Sequence, residues 1–347
     1  MSENERCDRC DECLAIGHAY CAQCGRPTGY VAEESADGPA VRANESGLVY
    51  VVKVIGLITL VICTAMLFFE IFTMFWVMSD VITIIGSVGF PIFILMPVYI
   101  ELFIISGVAL EMFYLFLVIA VLVSFFIVLY SSRDGIKDVL RRKFDKLEEM
   151  PLFAVATLFA ATIAFNIILN MFLIASGNEP GTPGFGNYPP WALQYSLLHA
   201  SVWEELLCRV LLIGLPVMII GLMMGEKGAW KRLFGRFEMN NTVLLLIIIS
   251  SVVFAYAHLG SWDAFKLIPT FVTGLALGYL FVRFGIWAAI LLHFLVNYSS
   301  SLEWVFDDAG IGPTVLFLLV TVILGVALFA WYVYRSIRFL KEERSWL

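Results

Sequence analysis

Five apolar runs dominate the chain: Leu48 to Met78, Phe103 to Tyr130, Leu152 to Ser176, Val243 to Ala257 and Val315 to Tyr334. A bilayer core needs about 20 apolar residues in helical form, and several of these runs supply that. Composition agrees. Hydrophobic residues make up 61% of 347 positions and charged residues 15%, with a mean hydropathy of +0.88, whereas a soluble domain is about half apolar and a quarter charged. In lipid the backbone must bond to itself, which leaves helices or closed barrels. The chain therefore reads as an all-α polytopic membrane protein, with about eight transmembrane helices of the length a bilayer demands. The net charge of −7 points to no nucleic-acid partner, because the basic residues sit between apolar runs and mark topology.

The first 46 residues are polar, charged and cysteine-rich, unlike a secretory signal. Cys7-x-x-Cys10 and Cys21-x-x-Cys24 form two knuckles able to close a tetrahedral thiolate cage. Gly25 after the second knuckle suits the tight turn such a knuckle needs. Cys13 and His18 stand as substitute ligands, since Cys10-x-x-Cys13 is also a knuckle spacing. Such an ion can hold together a unit too small for its own core. Disulfides are the competing reading and would require an oxidising compartment. The expectation is a small cytoplasmic head, a zinc ribbon over residues 1–28, carrying one structural zinc and open to a protein partner. Residues 29–46, rich in Ala, Glu, Gly and Ser, read as a flexible linker. Cys63 and Cys208 lie in apolar runs and are expected to pack there.

Lys and Arg collect in 133–146, 227–236 and 335–344, which the positive-inside rule places in the cytoplasm. Segments 178–190 and 303–313 carry neither and are expected to face outward. Helices near 151–176, 191–224, 242–260, 264–284, 286–301 and 313–336 satisfy these marks. A cytoplasmic head and tail then require that Val81 to Ile100, with Gly86, Gly89, Pro91 and Pro97, does not fully cross. Glu70, Asp80, Glu101 and Glu111 are expected near interfaces, and Arg283 is expected to snorkel to the cytoplasmic edge.

An ionisable side chain inside a membrane helix costs about 2.5–3.5 kcal/mol on insertion scales, which makes each one a functional candidate. Three of the four histidines fall in membrane spans, beside a pair of carboxylates in Trp203-Glu204-Glu205-Leu206-Leu207-Cys208-Arg209. Glu205 and Arg209 are four apart and can pair on one helix face. Glu204 is turned about 100° away, free to point into a cavity. Phe254 and His258 repeat the four-residue spacing, as do His293 and Asn297. A desolvated glutamate is a better base near neutrality. On this reading a water held between Glu204 and His258 attacks a peptide carbonyl, and His293 and Asn297 donate to the oxyanion. His199 matches none of these patterns and is read as a packing or supporting residue.

EExxxR, FxxxH and HxxxN, in this order on successive membrane helices, resemble the CAAX-protease and bacteriocin-processing family. That family includes the type II CAAX prenyl endopeptidases and Abi-type immunity proteins. The resemblance covers about residues 150–305. It implies that Glu204 is the base, His258 its partner on the water, and His293 and Asn297 the oxyanion site. Glu205, Arg209 and Phe254 would shape the site or engage substrate. Cys208 departs from the aromatic residue many relatives carry before the arginine, which bears on substrate fit. The resemblance implies a membrane-embedded or lipidated peptide as substrate, with the prenylated CAAX type among the candidates, and a site reached from the cytoplasmic side. It divides the chain after the linker into an N-terminal transmembrane region with an amphipathic segment (47–146), a catalytic transmembrane core (147–305), and a C-terminal helix and cytoplasmic tail (306–347). The localisation expected is the cell membrane.

Glu204, His258 and His293 could also hold a catalytic zinc with one open position. Asn297 is a poor zinc ligand and a good oxyanion donor, which favours the metal-free mechanism. A scaffold or immunity-type protein recruiting partners through its head is the alternative of a different class. A transporter also needs intramembrane Glu, His and Arg, but no internal repeat supports one.

Overall fold

In the computed structural model the described residues are 9, 12, 21, 47–95, 99–144, 146–181, 183, 188–260 and 262–344. Cys7, Cys10, Cys13, His18 and Cys24 lie outside them, as does the linker; Cys21 is buried. The chain divides into a unit at residues 1–49 and a compact unit at 50–347. The three transmembrane segments separated by sequence belong to that second unit.

In chain order its elements are α1 (Gly47–Trp76), α2 (Met78–Ile85), β1 (Gly89–Leu95), β2 (Tyr99–Ser106), α3 (Val108–Leu140) and α4 (Pro151–Ala175). There follow α5 (Pro190–Met223), α6 (Asn241–Ala257), α7 (Leu267–Phe284), α8 (Ile286–Tyr298), α9 (Ser301–Phe306) and α10 (Asp308–Arg344). Among the described residues, seven helices are long and apolar enough to cross a bilayer. Ile286–Tyr298 is a shorter apolar helix, which brings the apolar set to the expected eight. The protein is an all-α polytopic membrane protein, with one departure.

That departure is the stretch left ambiguous by sequence. After α2 the chain forms an antiparallel hairpin, β1 pairing with β2 from Gly89↔Ser106 to Leu95↔Tyr99, with a bulge between Ile92 and Phe93. Pro91 and Pro97 bar a helix here. Alternating Phe90, Ile92 and Ile94 suit a pleat. α3 continues through Leu140 and takes in the first half of the basic segment.

α4 is the central helix. In its most apolar stretch 72% of residues are buried, against 22% for the span of α10, and Pro151 to Ala164 are buried without interruption. α10 packs along it. Phe159 stacks on Phe317, Phe165 stacks on Phe329, and the Thr157 and Tyr332 hydroxyls share a 2.7 Å hydrogen bond. Lipid gives helices no hydrophobic drive to associate, so small residues that allow close backbone approach matter. Gly325 is such a residue: a Cβ there would strike the Ala160 carbonyl. Glu70 is fully buried in α1, and among the described residues neither of its carboxylate oxygens has a hydrogen-bond partner, while Asp80 and Glu101 are exposed.

Gly325→Leu should cost about 1–3 kcal/mol by overpacking this crossing, read as a lower unfolding temperature of the detergent-solubilised protein. Gly312→Ala is the control and should leave it unchanged, because nothing stands within 4 Å of a Cβ there.

Candidate active site

The site is assembled by α5, α6 and α8. α5 is not uniform: its first part is α-helical to Glu205, and Leu206–Gly214 winds as a π-helix before the α-helix resumes at Leu215. Wider turns of this kind often mark functional positions, and here one begins directly after the paired glutamates.

Glu205 and Arg209 form the pair the spacing predicts, with Arg209 Nε donating to Glu205 Oε2 at 3.1 Å and both side chains wholly buried. Nη2 has no hydrogen-bond partner among the described residues, but a second nitrogen of the guanidinium is used. Its Nη1 donates to Ser250 Oγ at 2.6 Å, and that hydroxyl donates to the Cys208 carbonyl at 2.6 Å. The guanidinium carbon lies 5.2 Å from the centre of the Phe254 ring. The other Glu205 oxygen receives His293 Nδ1 at 2.9 Å. A charge-assisted bond to each oxygen keeps this buried carboxylate ionised.

These bonds fix tautomers. A neutral histidine carries one ring proton, and a carboxylate only accepts. In its neutral form His293 therefore holds its proton on Nδ1 and presents a bare Nε2. That Nε2 lies 4.0 Å from Glu204 Oε2, a buried oxygen without a hydrogen-bond partner among the described residues. His258 follows the same logic. Its Nδ1 is 2.8 Å from the Phe254 carbonyl, which only accepts, so its Nε2 is bare too. This bond also satisfies one of the last carbonyls of α6, which otherwise lack partners.

Phe254 joins the two histidines. Its ring meets His258 edge-on at 4.9 Å and His293 at 5.7 Å and 90°. Glu204 thus has its nearest basic nitrogen in His293, where the sequence reading placed His258. Asn297 is committed elsewhere. Its Nδ2 donates to the Leu197 carbonyl at 3.2 Å and to Ser201 Oγ at 3.1 Å, which ties α8 to α5 one turn above the glutamates. Among the described residues, no three His, Cys, Asp or Glu side chains stand close enough to hold a metal ion.

Three participants were missed by sequence. Ser250 and Ser201 complete the Arg209 and Asn297 contacts, and a serine in a membrane helix carries no spacing signal that singles it out. Trp203 donates its indole N–H to the Phe93 carbonyl at 2.9 Å, so the hairpin is fastened to the residue before Glu204. His199 sits among Phe90, Phe93, Phe113, Tyr195 and Trp203. It packs, as the sequence suggests, and binds the hairpin to α5.

Residues 186–299 match the family model described as type II CAAX prenyl endopeptidase, Rce1-like. The match spans about a third of the chain and takes in Glu204, Glu205, Arg209, Phe254, His258, His293 and Asn297. No curated protein and no solved structure matches the chain.

Removing one partner of a buried pair leaves an uncompensated charge and costs about 3–5 kcal/mol. Arg209→Met should therefore lower the unfolding temperature sharply. Adding Glu205→Gln to it should restore part of the loss, because the orphan charge is then gone. A double variant no more stable than Arg209→Met would show that the pair does not carry this energy.

Proposed function

We propose that the chain is an intramembrane endopeptidase that hydrolyses a peptide bond of a membrane-associated substrate. The observation that carries this reading is the 4.0 Å gap between two bare acceptors, Glu204 Oε2 and His293 Nε2. Polar atoms held just beyond hydrogen-bond reach invite a bridging water. With donor–acceptor distances of about 2.8 Å, one water spans this gap by giving a hydrogen to each atom, its two hydrogen bonds about 90° apart. Its oxygen lone pairs then face away from both, towards an incoming carbonyl. The similarity of residues 186–299 to CAAX prenyl endopeptidases supports the same class of reaction.

In the proposed step Glu204 takes one proton from the water as its oxygen bonds to the scissile carbonyl carbon. The tetrahedral intermediate collapses as the C–N bond breaks, and the Glu204 proton passes to the leaving nitrogen. The products are a carboxyl and an amine, and Glu204 returns to its starting state. His293 aims the water, and the Glu205–Arg209 pair holds His293 in the tautomer this requires, as the orienting acid does in a hydrolase triad. A histidine in that tautomer has no Nε2 proton to donate, so His293 serves the water and the oxyanion falls to Asn297. An Asn297 N–H becomes available when the amide releases Ser201 Oγ. His258, with Nε2 bare, lies across Phe254 as a second proton acceptor.

The substrate classes that suit the reading are a prenylated carboxyl-terminal peptide and a leader-type membrane peptide. We further propose that Cys7, Cys10, Cys21 and Cys24 hold a structural zinc in the amino-terminal head.

Glu204→Gln removes the base while keeping the shape, and should reduce cleavage of a responsive peptide by about 100- to 10,000-fold without lowering the unfolding temperature. Full activity in this variant would end the proposal. Metal analysis of the same preparations should find one zinc per chain, lost on Cys24→Ser. Zinc retained in that variant would remove Cys24 from the ligand set.

A further inference from the structure

The segment that joins α5 to α6 is built more firmly than a connection requires. Residues 224–240 contain a short 3-10 helix, Ala229–Phe234, whose first residue is fully buried. Gly235 follows with φ of +85°, and a Cβ there would strike the Phe281 carbonyl, so glycine is needed on both counts. The Arg236 and Phe237 backbone N–H groups donate to the Phe281 and Val282 carbonyls at 3.3 and 3.1 Å. Arg236 itself has φ of +61°, a conformation that a residue with a side chain keeps only where its surroundings hold it. Here they do. Its Nε donates to the Phe284 carbonyl at 3.0 Å and its Nη2 to Ser131 Oγ at 3.4 Å, which ties the segment to α7 and α3. Asn240 then caps α6, its Oδ1 accepting from the Val243 N–H at 2.9 Å.

The segment borders an open cavity of about 410 Å³, within the roughly 300–1,000 Å³ of small-molecule sites. Lys227, Lys231, Arg232 and Arg236 line it, together with Glu226 and Glu238. Arg232 is matched by Glu226, which it meets through Nε at 3.2 Å and again through Nη2. Glu238 offsets one of the other three cations, so the lining keeps a net charge of +2. Lys227 and Lys231 have no ion-pair partner among the described residues. Like charges gathered on a fixed segment repel, and an anion placed among them relieves the repulsion. α5 and α6 are both long enough to cross a bilayer, so the segment between their ends lies at a membrane–water boundary. Trp230, between Lys227 and Lys231 in the chain, is a residue that such boundaries favour.

We propose that this cavity binds the phosphate of an anionic phospholipid headgroup, at a site separate from Glu204. Basic pockets beside membrane helices recognise such headgroups. Lys227 and Lys231 supply the unmatched charge that engages the phosphate oxygens, and Arg236 fixes the wall they stand on against α3 and α7. A free phosphate shares this chemistry, but a cavity at the boundary of two spans meets lipid headgroups wherever the protein is inserted.

The test titrates the purified full chain, in neutral detergent, with phosphatidylglycerol, phosphatidylcholine and inorganic phosphate, counting bound lipid by native mass spectrometry. Phosphatidylglycerol should bind more tightly than phosphatidylcholine, and an equal concentration of inorganic phosphate should not displace it. Lys227→Gln combined with Lys231→Gln should weaken its binding by about 25-fold, at about fivefold for each cation removed. Arg141→Gln combined with Lys143→Gln removes the same charge from another basic segment, outside the cavity, and should leave binding unchanged. All four residues are exposed, so neither pair of substitutions should lower the unfolding temperature of the lipid-free chain. Phosphatidylglycerol should raise that temperature in the parent and the control pair but not in the cavity pair. Equal weakening by both pairs, or an equal rise in all three proteins, would reduce the effect to diffuse charge and overturn the site. Displacement by inorganic phosphate, or phosphatidylcholine binding as tightly, would overturn the choice of an anionic lipid.

Discussion

A single buried ion pair organises the centre of this bundle. Glu205 and Arg209 are both at zero exposure, and neither charge could be left there alone. Each therefore takes further partners besides the other, and those partners sit on other helices: Ser250 and Phe254 on α6, His293 on α8. The requirement to satisfy two charges thus fixes the mutual position of three helices. Apolar packing alone would not do this, because side chains that are equally at home in lipid specify rotation and register weakly.

From this anchor the placement of the reactive groups follows. His293 is oriented because its Nδ1 completes Glu205. Asn297, one turn on, reaches Leu197 and Ser201 on α5, which locks the rotation of α8 at a second point. Phe254 lies against the Arg209 guanidinium and against both histidine rings. It passes the constraint to His258 through its ring and through its carbonyl, which lies 2.8 Å from His258 Nδ1. The hairpin adds a clamp from outside through Trp203 and Phe93. Catalytic groups gain most when their supports are themselves rigid.

Much of this was legible in the sequence because it is local. Helix limits follow from apolar run length and punctuation, so expected spans such as 264–284 agree with the structure to the residue. The Glu205–Arg209 pair is a helical spacing and needs no tertiary knowledge. What escaped was everything set by approach between distant segments. Ser250 and Ser201 look like any membrane-helix serine until Arg209 and Asn297 reach them. The hairpin was hidden because Pro91 and Pro97 show only that a helix is excluded, not what replaces it. The burial of Glu70 was hidden because sequence shows a carboxylate in an apolar run but not which helices close over it. How the two histidines stand around Glu204 is likewise a matter of helix rotation, to which motif order is blind.

Glu204 and Glu205 show how environment, not residue type, divides the work. They are adjacent and chemically identical, and about 100° of helix rotation separates their fates. Glu205 faces the interior and spends both oxygens on donor partners, Arg209 and His293, so its task is structural. Glu204 is half-buried, and one of its oxygens is left without a partner among the described residues. Leaving a buried acceptor unpaired costs about 1–3 kcal/mol, and the Glu205 network offsets that cost one residue away. Two acids with opposite surroundings make a support and a base from the same side chain, the general pattern by which paired carboxylates acquire distinct roles. Exchanging their surroundings would cost both functions, since a solvated Glu205 would release His293 and a fully paired Glu204 could not accept a proton.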